Sequence, residues 1–189
     1  MATTSFPPAD LPFSGDPAAD RFLAENPLAL LIGFVLDQQV TVQTAFRGPL
    51  ELSRRLGHLD PARIGALDPE ALGAIFAERP ALHRFPGTMA RRVGELCRTV
   101  VEQYGGDAAR IWTTATDAAE LERRLRDLPG IGPTKAKVIV AVLAKRLGVR
   151  LPGWESVVPS YPTLGDVDSP EALAAYQASK RAARAAGRR

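Results

Sequence analysis

The stretch Leu128-Pro129-Gly130-Ile131-Gly132-Pro133-Thr134-Lys135-Ala136-Lys137 sets the architecture of this chain, because it carries a sharp turn between two predicted helices. The upstream helix begins at Asp117, has Glu120 in an acidic first turn that the helix dipole favours, and stops at Pro129. In the downstream helix Pro133 suits the first turn. Apolar residues then follow at helical spacing: Ala136, Ile139, Val140, Leu143 and Leu147.

The two glycines of this stretch let the backbone turn while Ile131 points inward and holds the two helices together. The amides at the start of the second helix are then exposed, and such amides bind phosphate with the help of the helix dipole. Lys135 and Lys137 add positive charge. An ordinary connection in which Gly130 and Gly132 only make the bend is the alternative. The leading Leu-Pro and the trailing lysines favour a phosphate anchor that does not read DNA sequence.

The segment from Leu128 to Ala136 resembles the helix-hairpin-helix of the HhH-GPD superfamily of base-excision DNA glycosylases. A second motif upstream, Val35-Leu36-Asp37-Gln38-Gln39-Val40-Thr41-Val42, resembles the helix end and loop that carry Gln-Gln near DNA in two branches of that superfamily. The resemblance covers residues 15 to 150. It implies that the side chain of Gln39 fills the gap left by an extruded base, for which an amide that both donates and accepts is suited.

The resemblance implies one partner, double-stranded DNA with a damaged or mismatched base. We expect residues of both motifs to bind it: Gln38, Gln39, Leu128, Gly130, Ile131, Gly132, Thr134, Lys135 and Lys137. Strand-cleaving relatives have a lysine at the position of Thr134, where a free amine can form a Schiff base. The resemblance therefore implies hydrolysis of the glycosidic bond without strand cleavage.

The catalytic acid of the family is not evident in this sequence. The resemblance implies an Asp beyond the hairpin, at a position that falls near Pro152, and no Asp is there. Glu155 is the local candidate, since a carboxylate can stabilise a cationic sugar and activate water. Asp37, just before the Gln-Gln pair, is the other candidate for the catalytic acid. Trp154 could stack on a base in the pocket or belong to the core.

The composition of the chain limits which partners, cofactors and locations we expect for it. The chain has 189 residues, 46% hydrophobic residues and a formal net charge of +3, which permits nucleic-acid binding without requiring it. The one cysteine, Cys97, cannot supply the four thiolates of an iron-sulfur cluster, and neither histidine has metal-ligand spacing. We therefore expect no cofactor and no metal. We also expect no membrane span or secretory signal, and a monomer in the cytoplasm, associated with the nucleoid if the source is bacterial.

Strand patterns are weak throughout, so we predict an all-α, two-lobed helical bundle whose cleft lies between the Gln-Gln loop and the hairpin. The predicted organisation is an extended arm over residues 1–15, a helical domain over 16–150, and a C-terminal segment over 151–189 with a basic helical tail. Helices are predicted at 27–39, 42–56, 61–67, 69–79 and 88–104. Asp166 and Asp168 are predicted to cap a helix that starts at Pro170.

Three functional hypotheses follow. The first is a monofunctional DNA glycosylase. The second is a DNA-binding module that keeps the hairpin and the wedge but lacks the catalytic acid, and that senses lesions or distorted DNA. The third makes the hairpin a protein-contact element. The sequence does not identify the base that would be excised.

Overall fold

A computed structural model describes residues 10–187 of the chain, and within that range the regular structure is entirely helical, as predicted. The helices are α1 (Pro17–Glu25), α2 (Pro27–Leu36), α3 (Val42–Leu56), α4 (Pro61–Gly65), α5 (Pro69–Ala77), α6 (Pro86–Tyr104), α7 (Arg110–Thr113), α8 (Ala118–Arg126), α9 (Pro133–Arg146), α10 (Trp154–Val157) and α11 (Pro170–Ala186), with one 3₁₀ turn at Leu164–Asp166.

The most apolar helix, α2, lies at the centre of the fold. Every residue from Leu28 to Leu36 is buried, and α2 contacts α1, α3 and α6. The side chain of Asn26 caps its first turn by accepting a hydrogen bond from the amide of Ala29. With ten residues α2 is a core helix of ordinary length. Within residues 10–187, no helix has both the length and the apolar character needed to cross a bilayer.

Aromatic packing joins α3 and the N-terminal arm to α2. The ring of Phe46 meets the rings of Phe34 and Phe13 edge to face, with centroid separations of 5.1 and 5.2 Å. Leu11 and Phe13, which belong to the predicted arm, are both fully buried. The arm is therefore part of the core from Leu11 onward, while its other aromatic residue, Phe6, lies outside the described residues.

The turn between α8 and α9 packs against α2. Gly130 has φ +78°, a left-handed conformation that favours glycine, and a Cβ there would lie 3.3 Å from Cγ1 of Val35. Gly132 has an ordinary φ of −87°, and a Cβ there would meet nothing within 4 Å. The bend therefore requires glycine at Gly130 only, and the sequence-based reason given for Gly132 does not apply.

The C-terminal segment is attached to α9 by the 3₁₀ turn. A Cβ at Gly165 would lie 2.7 Å from the backbone of Ala141, so the turn and α9 are in close contact. The prediction that Asp166 and Asp168 cap the last helix is wrong for both residues, because Ser169 is the N-cap of α11 and its side chain accepts from the amide of Ala172. Asp166 instead caps the 3₁₀ turn together with Thr163 and pairs with Lys145 at 2.6 Å.

We predict that Gly33→Ala lowers the free energy of unfolding, because a Cβ at this position would lie 2.5 Å from the buried ring of Phe46. Overpacking of this kind costs about 1–3 kcal/mol. Urea unfolding followed by circular dichroism measures the loss. The matched control is Gly87→Ala in the first turn of α6, where a Cβ meets nothing within 4 Å and stability should change by less than about 1 kcal/mol. Equal losses in the two variants would contradict this account of the α2–α3 contact.

Candidate functional site

The loop that follows α2 has a defined and unusual backbone. The helix ends at Leu36, three residues earlier than predicted, because Asp37 adopts φ −72° and ψ 67° and the amide of Gln38 bonds the carbonyl of Leu36 at 2.7 Å, an inverse γ-turn. Gln39 then has φ +55°, a left-handed conformation that costs a residue with a side chain roughly 1–2 kcal/mol. Its side chain is exposed. Other parts of the chain must hold this loop in place.

His83 is one of the side chains that hold the loop. Its Nε2 lies 3.1 Å from the carbonyl of Leu36 and 2.9 Å from that of Gln38, while its Nδ1 accepts from the amide of Phe85 at 3.0 Å. These partners assign the proton of the neutral ring to Nε2. Burial lowers the pKa of His83, against the effect of the two carbonyl contacts. His83, which the sequence analysis assigned no role, is therefore a neutral clamp on the end of α2.

Lys135 and Arg92 hold the same loop from other helices. The ammonium group of Lys135 donates to the carbonyls of Phe34 at 2.7 Å and Asp37 at 3.3 Å. The guanidinium of Arg92 donates to Oε1 of Gln38 at 2.5 Å. Lys135 thus compensates the negative end of the α2 dipole. Its ammonium is occupied within the fold, whereas the sequence predicted a lysine that extends toward phosphate.

The carboxyl group of Asp37 stands at the junction of these elements. Burial raises its pKa, while the positive charges of Lys180, Lys135 and Arg184 act in the opposite direction. The pKa of Lys135 is lowered by burial, and the negative charge of Asp37 acts against that shift. A carboxyl at a helix C-terminus is disfavoured by the dipole, and here cations from α9 and α11 offset that cost.

Asp37 opens into a pocket of about 570 Å³ between the Gln-Gln loop and α11. Its wall is polar and carries positive charge from two segments. The lining residues are Asp37, Gln39, Val40, Thr41, Val42, Arg84, Gln177, Lys180, Arg181 and Arg184. Asp37 is the only acidic residue among them. From the sequence the cations of α11 were predicted only as part of a basic helical tail, and their position beside Asp37 was not predicted.

The first turn of α9 offers free backbone donors close to the end of α2, where Lys135 contacts the carbonyl of Asp37. Within residues 10–187, no side chain caps the helix at Gly132. Thr134 and Lys137 are exposed, so they are accessible to a ligand together with the amides. The side chains of Leu128 and Ile131 are buried, with 3% and 4% of their surface exposed, and therefore belong to the core. Of these two, only backbone groups could face a ligand.

Glu155 and Trp154 lie elsewhere. Both belong to α10, which contacts α8 and α9 next to the hydrogen bond between the amide of Ala118 and the carbonyl of Pro152. Ala118 begins α8, so this is the end of the helix pair opposite the hairpin turn. The fourteen residues of α9 make that separation roughly 20 Å. Glu155 is exposed, and the guanidinium of Arg150 lies 5.7 Å from the ring centroid of Trp154. Neither residue lines the pocket at Asp37.

Within residues 10–187, no group of three or more His, Cys, Asp or Glu side chains is placed to hold an ion. Cys97 is buried, and burial raises its pKa to about 12, so the thiol is protonated at neutral pH. The chemistry available at the pocket is that of a carboxyl group, amides and cations.

Comparison with known proteins gives no family assignment. No protein-family model matches the chain. No curated protein gives a significant match either. The functional interpretation therefore depends on the geometry around Asp37 and on the two sequence motifs.

We predict that His83→Ala lowers the free energy of unfolding by about 1–3 kcal/mol at pH 7.5, because the carbonyls of Leu36 and Gln38 lose a buried donor. The pKa of His83 in the folded protein lies below its ordinary value of 6.5. At pH values between the folded-state pKa and 6.5, the unfolded chain binds more protons at this histidine than the folded protein does. The free energy of unfolding of the wild type therefore falls as the pH drops below about 6.5. The advantage of the wild type over the variant should therefore shrink toward pH 5.

Urea unfolding at a series of pH values measures this effect. The matched control is His58→Ala, which removes the other histidine, whose ring accepts from the nearby amide of Asp60 and does not contact the Gln-Gln loop. A stability difference between wild type and His83→Ala that stays constant from pH 7.5 to 5 would contradict the proposed neutral clamp.

Proposed function

We propose that this protein is a monofunctional DNA glycosylase-like protein of base-excision repair, which binds damaged duplex DNA and hydrolyses the N-glycosidic bond of an extruded base. One observation carries this proposal. Asp37 is the sole carboxyl group in a pocket whose lining includes four cationic and two amide side chains beside Val40, Thr41 and Val42, and it directly precedes the Gln-Gln pair. A negatively charged nucleotide suits such a lining, and a carboxyl group suits the chemistry at its sugar.

The reaction would need little beyond these groups. As the bond between C1′ and the base nitrogen breaks, the sugar becomes cationic and the electron pair leaves with the base. The carboxylate of Asp37 would stabilise this cation and accept a proton from the attacking water, whose oxygen bonds C1′. Asp37 then releases that proton to solvent and the departing base takes up a proton from solvent, so one water is consumed and the products are the free base and an abasic sugar. Burial raises the pKa of Asp37, which makes it a better proton acceptor than an exposed carboxylate.

The two glutamines would have different roles. Arg92 holds the amide of Gln38, so this side chain is committed to the fold. Gln39 is exposed and stands in a strained backbone conformation at the rim of the pocket. Strained residues held in place by their surroundings occur often at functional sites. We therefore assign to Gln39, and not to Gln38, the insertion into the space left by an extruded base.

The hairpin would anchor the DNA backbone. Its contribution would come from the uncapped first turn of α9 and from the exposed Lys137, since Lys135 is occupied by α2. Contacts of this kind fix the position of the duplex without reading its sequence. Two glycosylase-like elements, an anchor and a wedge, would then lie on either side of Asp37.

A non-catalytic DNA-lesion binding protein is the second candidate, and one observation favours it. The loop near Pro152, where the resembled family has its acid, carries no Asp, and Glu155 beside it is exposed and remote from the pocket. Asp37 could then serve only to order the surrounding cations. In that case the protein would bind an extruded nucleotide and leave its glycosidic bond intact.

We predict that Gly132→Asp weakens binding to intact duplex DNA while leaving the folded protein at least as stable. The site is open, its φ is ordinary, and an Asp at an N-cap would occupy the free amides of α9 and repel phosphate. Fluorescence anisotropy with labelled duplex measures the affinity, and thermal unfolding measures the stability. Gly132→Ala is the matched control and should bind nearly as the wild type does. Unchanged affinity in Gly132→Asp would remove the hairpin from the interface.

We predict that Asp37→Asn abolishes base excision with little effect on DNA binding, because the amide keeps the shape and loses the charge. The matched control is Glu155→Gln, which should keep full activity since Glu155 is exposed at the far end of α9. The assay incubates each protein with duplexes that contain uracil, hypoxanthine, alkylated bases or oxidised bases, and detects alkali-labile sites. The loss in rate should be a hundredfold or more, within the roughly 10²–10⁴-fold range for a positioned acid or base.

Each outcome of this assay has a distinct meaning. Loss of activity in Glu155→Gln but not in Asp37→Asn would move the chemistry to α10 and contradict the proposed pocket. No excision of any base by the wild type, together with tighter binding of lesion duplex than of intact duplex, would establish the binding protein instead. Neither excision nor DNA binding by the wild type would refute both candidates.

A further inference from the structure

The last helix, α11, is attached to the body of the protein by few contacts near its start. Leu173 is its only buried residue. Gln177 exchanges two hydrogen bonds with Gln43 of α3, at 3.2 and 2.7 Å. Beyond Gln177 the helix continues to Ala186 with all of its residues exposed. The second half of α11 therefore extends past its attachment and along the pocket at Asp37.

The cations of this second half lie on the face that attaches the first half. With 100° between successive residues of an α-helix, Leu173, Gln177, Lys180, Arg181 and Arg184 fall within an arc of roughly 100°. The face that packs on the protein up to Gln177 is thus the face that carries three cations over the pocket. These cations form a wall of the site and are not distributed around a solvated helix.

The positive charge on this wall has little compensation from the protein. Glu171 is the only acidic residue of α11, and it lies in the first turn. Among the ion pairs of residues 10–187 none involves Lys180, Arg181 or Arg184. Lys180 and Arg184 are four residues apart, and like charges at that spacing repel each other and destabilise a helix. Asp37 supplies a single negative charge, so the pocket wall carries a net positive charge that attracts an anionic ligand.

The composition of α11 argues against a membrane as that anion. Helices that lie on bilayers insert large apolar side chains on the face opposite their cations. The opposite face of α11 carries Ala175, Ser179, Ala182 and Ala186. Such small side chains give little apolar surface for insertion, whereas cations alone suffice for contact with phosphodiesters.

We propose that α11 is a second DNA-backbone element, which binds phosphates along its wall of the pocket at Asp37. This inference rests on the proposed function, since it takes duplex DNA as the ligand, but it does not require catalysis. Lys180, Arg181 and Arg184 bind phosphates next to the nucleotide that enters the pocket. The start of α9 and the second half of α11 then both hold the duplex near Asp37, and the hairpin is not the sole anchor.

The test is the salt dependence of binding to an intact duplex, which separates backbone contacts from base excision. In the variant Lys180→Ala/Arg181→Ala/Arg184→Ala, the slope of log affinity against log salt should flatten by up to about three units, about one for each lost phosphate contact. A matched control, Arg21→Ala/Arg63→Ala/Arg98→Ala, removes the same charge from exposed arginines that do not line the pocket. Its slope should change by less than one unit.

A conservative variant, Arg181→Lys/Arg184→Lys, keeps the charge and should keep the wild-type slope. Circular dichroism and thermal unfolding of all variants establish that α11 and the core remain folded. Wild-type salt dependence in the triple α11 variant, or an equal change in the control triple, would overturn the proposal even if Asp37→Asn abolishes excision. A flattened slope in a protein that excises nothing would uphold it while the glycosylase activity fails.

Competition measurements separate DNA from other anions. Wild-type protein should bind duplex DNA more tightly than vesicles that contain phosphatidylserine and more tightly than single-stranded RNA of equal charge. Tighter binding to the vesicles or to the RNA, lost in the same triple variant, would assign α11 to that partner and overturn the proposal for DNA.

Discussion

Carbonyl groups at the C-terminal end of α2 accept hydrogen bonds from side chains that come from distant parts of the chain. A helix leaves its last carbonyls without amide partners, and a buried end must find donors elsewhere. Here His83, which precedes α6, and Lys135, in α9, supply them. The donor and acceptor are 47 residues apart for His83 and Leu36 and 101 residues apart for Lys135 and Phe34. One helix end therefore fixes how α2, the approach to α6 and α9 meet.

This arrangement explains why the pocket at Asp37 has its electrostatic character. The inverse γ-turn that ends α2 places a carboxyl group beside the negative end of a helix dipole, where it is disfavoured. Lys135 offsets both the carbonyls and the carboxylate. Lys180 and Arg184 add charge from α11. The cations that stabilise the buried carboxyl group of Asp37 also give the pocket a positive charge that attracts an anion. The same residues therefore serve both the stability of the fold and the proposed function.

Local features of the fold followed from the sequence, whereas contacts between distant residues did not. The bounds of α3, Val42–Leu56, match the prediction, and α4 and α5 start at Pro61 and Pro69 as predicted, each after an Asp that caps the first turn. These signals act within one or two turns of helix. In contrast, α2 was predicted to continue to Gln39, because the γ-turn at Asp37 depends on donors that lie far away in sequence.

The candidate site was predictable to the same limited extent. The structure brings the two motif segments, the end of α2 and the start of α9, together through the contact of Lys135 with the carbonyl of Asp37. The roles of individual side chains needed coordinates: Lys135 is a clamp, Leu128 and Ile131 are core residues, and His83 holds the loop. The cations of α11 could have been recognised by their shared helical face and missing acidic partners, but their position over Asp37 depends on tertiary packing.

The weak attachment of α11 has a dynamic consequence. Elements with few buried apolar contacts open locally at a small fraction of the global unfolding free energy, and their amides lose protection against hydrogen exchange first. With one buried side chain, α11 is such an element, whereas α2 belongs to the most protected part of the fold. The two walls of the pocket thus differ in rigidity. Ligand binding that orders α11 would cost conformational entropy, which makes the occupied pocket more rigid than the empty one.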